Sequence, residues 1–188
     1  MMTPGNAFEF FGPGTTLAYV LDLPEGTTYA QWSLFNEYTD GNHDLDLYLF
    51  YCPDFLCTQI DSSGGGTSNE RVSVSFPVTD PTIDDPYVVF VHGYNTEGGA
   101  PAQFILFDWT DPNVGPDVGN MTVSGPASAT LGQTATLNVG WAGLSTGAGA
   151  KQLGAITHED GAGVVGLTIV NITNDSGEGF CSFGLCPP

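Results

Sequence analysis

"YTDGNHDLDLYLFYCPDFLC", residues 38–57, decides how the rest of the chain is read. In its centre Leu45, Leu47 and Leu49 alternate with Asp44, Asp46 and Tyr48. Successive side chains of an extended strand point to opposite faces. The leucines therefore share one side, and the carboxylates share the other with the tyrosine. This is the pattern of a β-strand with one buried and one wet face. "RVSVSF" (71–76) repeats it, with Val72, Val74 and Phe76 expected inside and Ser73 and Ser75 in water. "YVVFV" (87–91) is apolar on both faces, which suits a central strand of a sandwich. Further strands are expected in "FEFF" (8–11), "TLAYVLDL" (16–23), "YAQWSLFNE" (29–37), "TQID" (58–61) and "AQFILFDW" (102–109). No stretch carries apolar residues at helical spacing over three turns, and 26 glycines and 13 prolines make turns frequent. The expectation is an all-β chain whose first block, 7–110, packs two antiparallel sheets face to face.

"TDPNVGPDVGN" (110–120) has almost nothing to bury and reads as a linker over 111–120. A second block follows over 121–174, with strands expected in "MTVSG" (121–125), "QTATLNVGWAG" (133–143), "KQLGAITHE" (151–159) and "VVGLTIVNIT" (164–173). Four strands in so short a block give a small core, marginal alone. A Cys-bearing tail, 175–188, closes the chain.

The charge balance excludes several function classes. Acidic residues number 21, against Arg71 and Lys151 as the basic ones, for a net charge of −19. Nucleic acid is excluded as a partner, because phosphate binding needs Lys and Arg to displace counterions. An anionic membrane surface is excluded on the same ground. Most carboxylates must be solvated, screened or metal-bound, which suits a saline or calcium-containing extracellular medium. Hydrophobic residues at 41% and aromatics at 12% supply a core, which argues against disorder. No apolar run is long enough to span a bilayer, and the opening residues are not expected to be a signal peptide.

Four cysteines fall in two close pairs, "CPDFLC" (52–57) and "CSFGLC" (181–186). The even count and the acidic composition favour an oxidised, exported protein with two local disulfides, Cys52–Cys57 and Cys181–Cys186. A zinc site built from all four thiolates is the alternative.

Several constellations could carry chemistry. Asp40, Asn42, Asp44 and Asp46 offer oxygens at alternate positions, as a calcium loop would. An EF-hand is not expected, since Leu45 stands where its glycine belongs and Tyr51 where its glutamate belongs. A simpler turn-based Ca2+ site over the four residues competes with a plainer reading, in which Asp44 and Asp46 line the solvent face of a strand. Asp84–Asp85 and Glu159–Asp160 are adjacent carboxylates, which point apart on an extended chain and make no glycosidase pair. "GLSTG" (143–147) matches G-x-S-x-G, but the sequence after it reads as loop and strand rather than helix, so a catalytic Ser145 is not expected. Tyr19, Trp32, Tyr38, Tyr48, Tyr51, Tyr94 and Trp109 could furnish an aromatic binding face, with Tyr48 the best exposed candidate; aromatics in a sandwich are more often core. Asn120, Asn171 and Asn174 match the N-glycosylation acceptor pattern.

The first block resembles the bacterial pre-peptidase C-terminal domain. The resemblance runs from about Gly14 to Trp109. It rests on an Asp-x-Asp-Leu-Tyr strand (Asp44, Asp46, Leu47, Tyr48), a later Asn-Glu (Asn69, Glu70), and a Tyr-x-Val-x-Val-x-Gly-Tyr strand (Tyr87, Val89, Val91, Gly93, Tyr94). The second block is similar to the small Ig-like β-domain near the C-terminus of exported subtilisin-like proteases. These likenesses imply a jelly-roll-like sandwich followed by a small β-domain, secreted as part of a serine peptidase. No catalytic residue carries over, because the family's catalytic residues lie outside this domain. The tail "CSFGLCPP" has no counterpart in the pattern. The expected role is that of a non-catalytic accessory region. It would aid secretion or maturation, or bind insoluble protein substrate or its own catalytic domain through Tyr48 and Tyr94. A cell-surface module that binds carbohydrate or protein is the alternative.

Overall fold

The computed structural model describes residues 16–79, 87–112, 121–130, 132–143 and 150–173. The chain divides into two compact units, Met1–Val114 and Gly115–Pro188.

Among the described residues, the first unit has seven strands: β1 (Thr16–Leu21), β2 (Thr27–Ser33), β3 (Asp44–Tyr51), β4 (Thr58–Ser63), β5 (Arg71–Ser75), β6 (Tyr87–Asn95) and β7 (Phe107–Pro112). They make two antiparallel sheets, ordered β1-β6-β3-β4 and β5-β2-β7. The two sheets share one core. Ala30, Trp32 and Leu34 from the β2 side and Val72 from β5 meet Leu45, Leu47 and Leu49 of β3 and Tyr87, Val89 and Val91 of β6. This is an all-β sandwich, and the leucine alternation in β3 is its inner face. Each fully buried Leu or Val contributes roughly 2 kcal/mol through area removed from water. "YVVFV" lies between β1 and β3, the central place expected of a strand apolar on both faces.

The opposite face of β3 is less wet than the alternation implies. Asp46 is 6% exposed and Phe50 is 7% exposed. Phe50, Cys52, Val88 and Phe90, with Tyr48 beside them, form a second apolar cluster on the outer side of the four-stranded sheet. The three-stranded sheet also hides its outer side along β2. Tyr29, Gln31 and Ser33 are buried there and hydrogen-bond in sequence, Tyr29 Oη to Gln31 Oε1 at 3.0 Å and Gln31 Nε2 to Ser33 Oγ at 3.2 Å.

Several strands differ from their expected extent or facing: β2 stops at Ser33, short of Glu37, and in the 133–143 run only Asn138–Trp141 is a strand. Val72 is fully buried and Val74 packs on the core, but Phe76 is 50% exposed. Its φ of 50° ends the alternation and turns the ring outward. The apolar run before Phe107 is not a strand. Phe104 makes a single bridge to Thr39, and pairing with β2 begins at Phe107 and continues through Pro112. "FEFF", the greater part of the expected linker and the tail lie outside the described residues.

Bulges decide where several side chains point. In the β3–β6 pair, Asp44 faces Asn95 and Leu45 faces Gly93, so Tyr94 is surplus. Ile60 is surplus in the β3–β4 pair. A surplus residue leaves the ladder and is re-aimed. Tyr94 is 71% exposed and Ile60 42%.

The second unit contains β8 (Met121–Ser124), β9 (Asn138–Trp141), β10 (Lys151–Asp160) and β11 (Gly163–Thr173), paired as two antiparallel ribbons, β8–β9 and β10–β11. Met121 of β8 packs over Gly154 of β10, where a Cβ would lie 2.9 Å from its sulfur. None of this unit's described residues is fully buried. Asp160 closes the β10–β11 turn by accepting the Ala162 and Gly163 N–H groups at 2.7 and 3.2 Å. Val165 is surplus in this pair and 63% exposed.

Candidate functional site

The residues proposed for a calcium loop separate into different surroundings. Asp40 Oδ1 accepts from His43 Nε2 at 3.0 Å and from the Gln103 N–H at 2.8 Å. Asn42 is exposed, and its backbone N–H donates to Glu97 Oε2 at 2.9 Å. Asp44 opens β3 half-buried, with Oδ1 buried and without a hydrogen-bond partner. Asp46 lies on the outer face of the sheet, opposite His92. Among the described residues, no three His, Cys, Asp or Glu side chains come together in a group that could hold a metal ion. Asp40 thus serves the turn, while Asp46 serves the sheet.

What the fold gathers instead is a polar and aromatic constellation at one end of that outer face. Asp44, Asp46 and Tyr48 come from β3, His92 and the bulge residue Tyr94 from β6, and Thr16 from β1. Thr16 Oγ1 and His92 Nδ1 are 2.9 Å apart. Tyr48 Oη donates to Asp46 Oδ2 at 3.2 Å. Glu70 reaches the same region from the loop after β4 and is 5% exposed. It accepts the Gly65 N–H at 2.8 Å and bonds the Ser63 hydroxyl. Gly64 lies close against Asp46, where a Cβ would meet its Oδ1 at 3.0 Å.

The electrostatics follow from crowding of like groups. Burial raises the Asp46 carboxyl above the usual range; the Tyr48 hydroxyl opposes this, and Asp44 and Glu70 add to it. Burial likewise raises the Tyr48 phenol, with the Asp46 charge next in weight. Of the two tyrosines proposed for binding, Tyr48 is half-buried and Tyr94 is the exposed one. Alternation could place Tyr48 but could not reveal the bulge that ejects Tyr94.

The loops below this face are stapled by paired side chains. The Asn36 N–H donates to Asn69 Oδ1 at 2.9 Å, and the Ser68 N–H donates to Asn36 Oδ1 at 2.8 Å. Asn69 and Glu70 thus hold loops in place. Cys52–Cys57 is bonded and closes the corner between β3 and β4, over which Asp54 takes a φ of 50°. Cys181, Cys186, Ser145, Asp84, Asp85, Asn120 and Asn174 lie outside the described residues, whereas Asn171 is exposed in β11. No helix among the described residues is long and apolar enough to cross a membrane. Compared with family models, curated proteins and solved structures, the chain matches none.

Proposed function

We propose that this chain is a non-catalytic accessory region of an exported subtilisin-like serine protease, of the pre-peptidase C-terminal kind. In this reading the outer face of the four-stranded sheet binds insoluble protein substrate, with Tyr94 as its exposed contact and Tyr48 beside it. The observation that carries the reading is the meeting of Asp46, Tyr48, Glu70 and Tyr94, four of the positions that bear the resemblance, around that face. A face that sets the exposed Tyr94 near Tyr48 and its carboxylate neighbours suits polar, cationic and aromatic groups of a protein surface better than an apolar ligand. The test is retention of the full chain on insoluble collagen or gelatin. Binding weakened about tenfold by Tyr94→Ala is expected, the size of one aromatic contact. No retention at low or high salt would sink the substrate-binding role.

A second reading, an adhesion module that binds carbohydrate, draws on another observation. Phe107 stacks on Trp109 at 5.5 Å, and Phe35 and Tyr38 pack edge-on to Phe107 at 5.2 and 4.8 Å. Glycan-array binding lost with Trp109→Ala, without fibre binding, would favour it.

A further inference from the structure

The end strands of the two sheets differ in how their open sides are guarded. β4 is interrupted by its surplus Ile60, and its Asp61 Oδ2 accepts the Ser73 N–H at 2.8 Å, which occupies a backbone donor of β5. β7 carries Asp108 and ends on Pro112. Bulges, charges, proline and side-chain plugs keep edge strands from pairing with other chains. β1 has none of these. Thr16–Leu21 reads TLAYVL, without charge, glycine or proline, and pairs with β6 at six consecutive positions with no bulge. Among the described residues, no hydrogen bond reaches the backbone on its other side. Its side chains are apolar on both faces. Ala18 and Val20 are exposed on the outer face, while Tyr19 and Leu21 lie half-buried at the margin of the core. Just beyond the strand, Asp22 and Glu25 are exposed, and neither has an ion-pair partner among the described residues. The chain's own cationic side chains are Arg71 and Lys151.

We propose that the open edge of β1 takes up an extended segment of another protein as a further antiparallel strand, one with Lys or Arg just before its first paired residue. Alternate residues of β1 turn their N–H and C=O away from β6, and an extended segment satisfies them in pairs. Apolar side chains on the segment's core side extend the cover over Tyr19 and Leu21. Every strand pair of both sheets is antiparallel, and that pairing is the more stable per residue. Such a segment runs from Leu21 back towards Thr16, so the residues before its first pair fall beside Asp22 and Glu25. A net charge of −19 draws a basic partner and opposes a second copy of this chain. This inference is independent of what the outer face binds.

The probe is a synthetic peptide, Lys-Lys-Val-Thr-Val-Thr-Val-Thr, added to the full chain and followed by amide hydrogen exchange. Without peptide, alternate amides of β1 should exchange fast. Saturating peptide should protect them about tenfold or more while β3 amides hold. The same peptide with Glu in place of both Lys should bind about tenfold more weakly. The double variant Asp22→Asn, Glu25→Gln should narrow that gap about threefold. Ala18→Pro or Tyr19→Pro, at whichever of the two amides exchanges fast, removes a donor that only the incoming strand uses and should abolish binding. If the proline variant does not fold, the two peptides and the double variant decide. No protection by the lysine peptide overturns the proposal, as does equal affinity for both peptides. So do β1 amides already protected in the free monomer, which would mean that the chain covers its own edge. A dimer in sedimentation that protects the same amides without peptide also overturns it, since the occupant is then a second copy.

Discussion

At the scale of single residues, two positions carry sharp expectations. Gly41 lies between a carboxylate and an imidazole. A Cβ there would stand 2.8 Å from Glu97 Oε2 and 2.9 Å from His43 Nε2. Gly41→Ala should therefore destabilise the first unit by about 1–3 kcal/mol, read as a lower urea midpoint. Asp46 makes a prediction about pH. Its folded carboxyl is raised above the usual range, so between the unfolded and folded values the native state holds more protons. Stability must fall as pH rises through that window, and the penalty persists at neutral pH. Asp46→Asn, which still offers an oxygen to Tyr48, should raise the neutral-pH melting temperature and flatten this acid-side slope. A variant less stable than wild type at pH 7 would contradict the account. These sites also mark the limit of sequence reading. Asp44, Asp46 and Tyr48 were legible as one face of a strand. That Glu70 would join them from a loop was not, because a turn's path is set by bonds such as Asn36 N–H to Asn69 Oδ1 and Ser68 N–H to Asn36 Oδ1, which leave no periodic trace.

Among the elements, β3 bears most weight, since it pairs with both β4 and β6 and sets three leucines in the core. Leu47 is fully buried, so Leu47→Ala should cost about 3 kcal/mol of unfolding free energy, within the range for cavities in close-packed cores. A cost below about 1 kcal/mol would mean that the two sheets are not packed through this residue. The β3–β4 corner should be worth less. Its disulfide closes a loop with a sequence separation of 5, which chain entropy values at about 2 kcal/mol. The double variant Cys52→Ala, Cys57→Ala should fold and lose about that amount, measured by chemical denaturation. Strand identity was readable wherever alternation or continuous apolarity ran for five residues or more, as in β3, β5 and β6. It failed at Phe76, where a positive φ reverses the face, and before Phe107, where an apolar run makes one bridge and no ladder.

Across the whole molecule, burial is uneven. The first unit holds all of the fully buried apolar side chains among the described residues, and the second unit has none. Two ribbons with half-covered side chains are expected to open locally far more often than a sandwich with a closed core. Amides in β10 and β11 should exchange at least about tenfold faster than those in β3 and β6 at the same pH and temperature. Equal protection in both units would show that the second is held by more than its own ribbons. The bulges have a further consequence for chain length. Ile60, Tyr94 and Val165 each stand where one strand has a residue more than its neighbour. Dropping any one of the three codons would bring the flanking pairs into step and leave every other side chain on its present face. Losing a codon elsewhere in those ladders would invert all that follows. Lineages of this protein should therefore shed or keep single residues at these three points, and the exposed ring at 94 is the one that such an edit would erase.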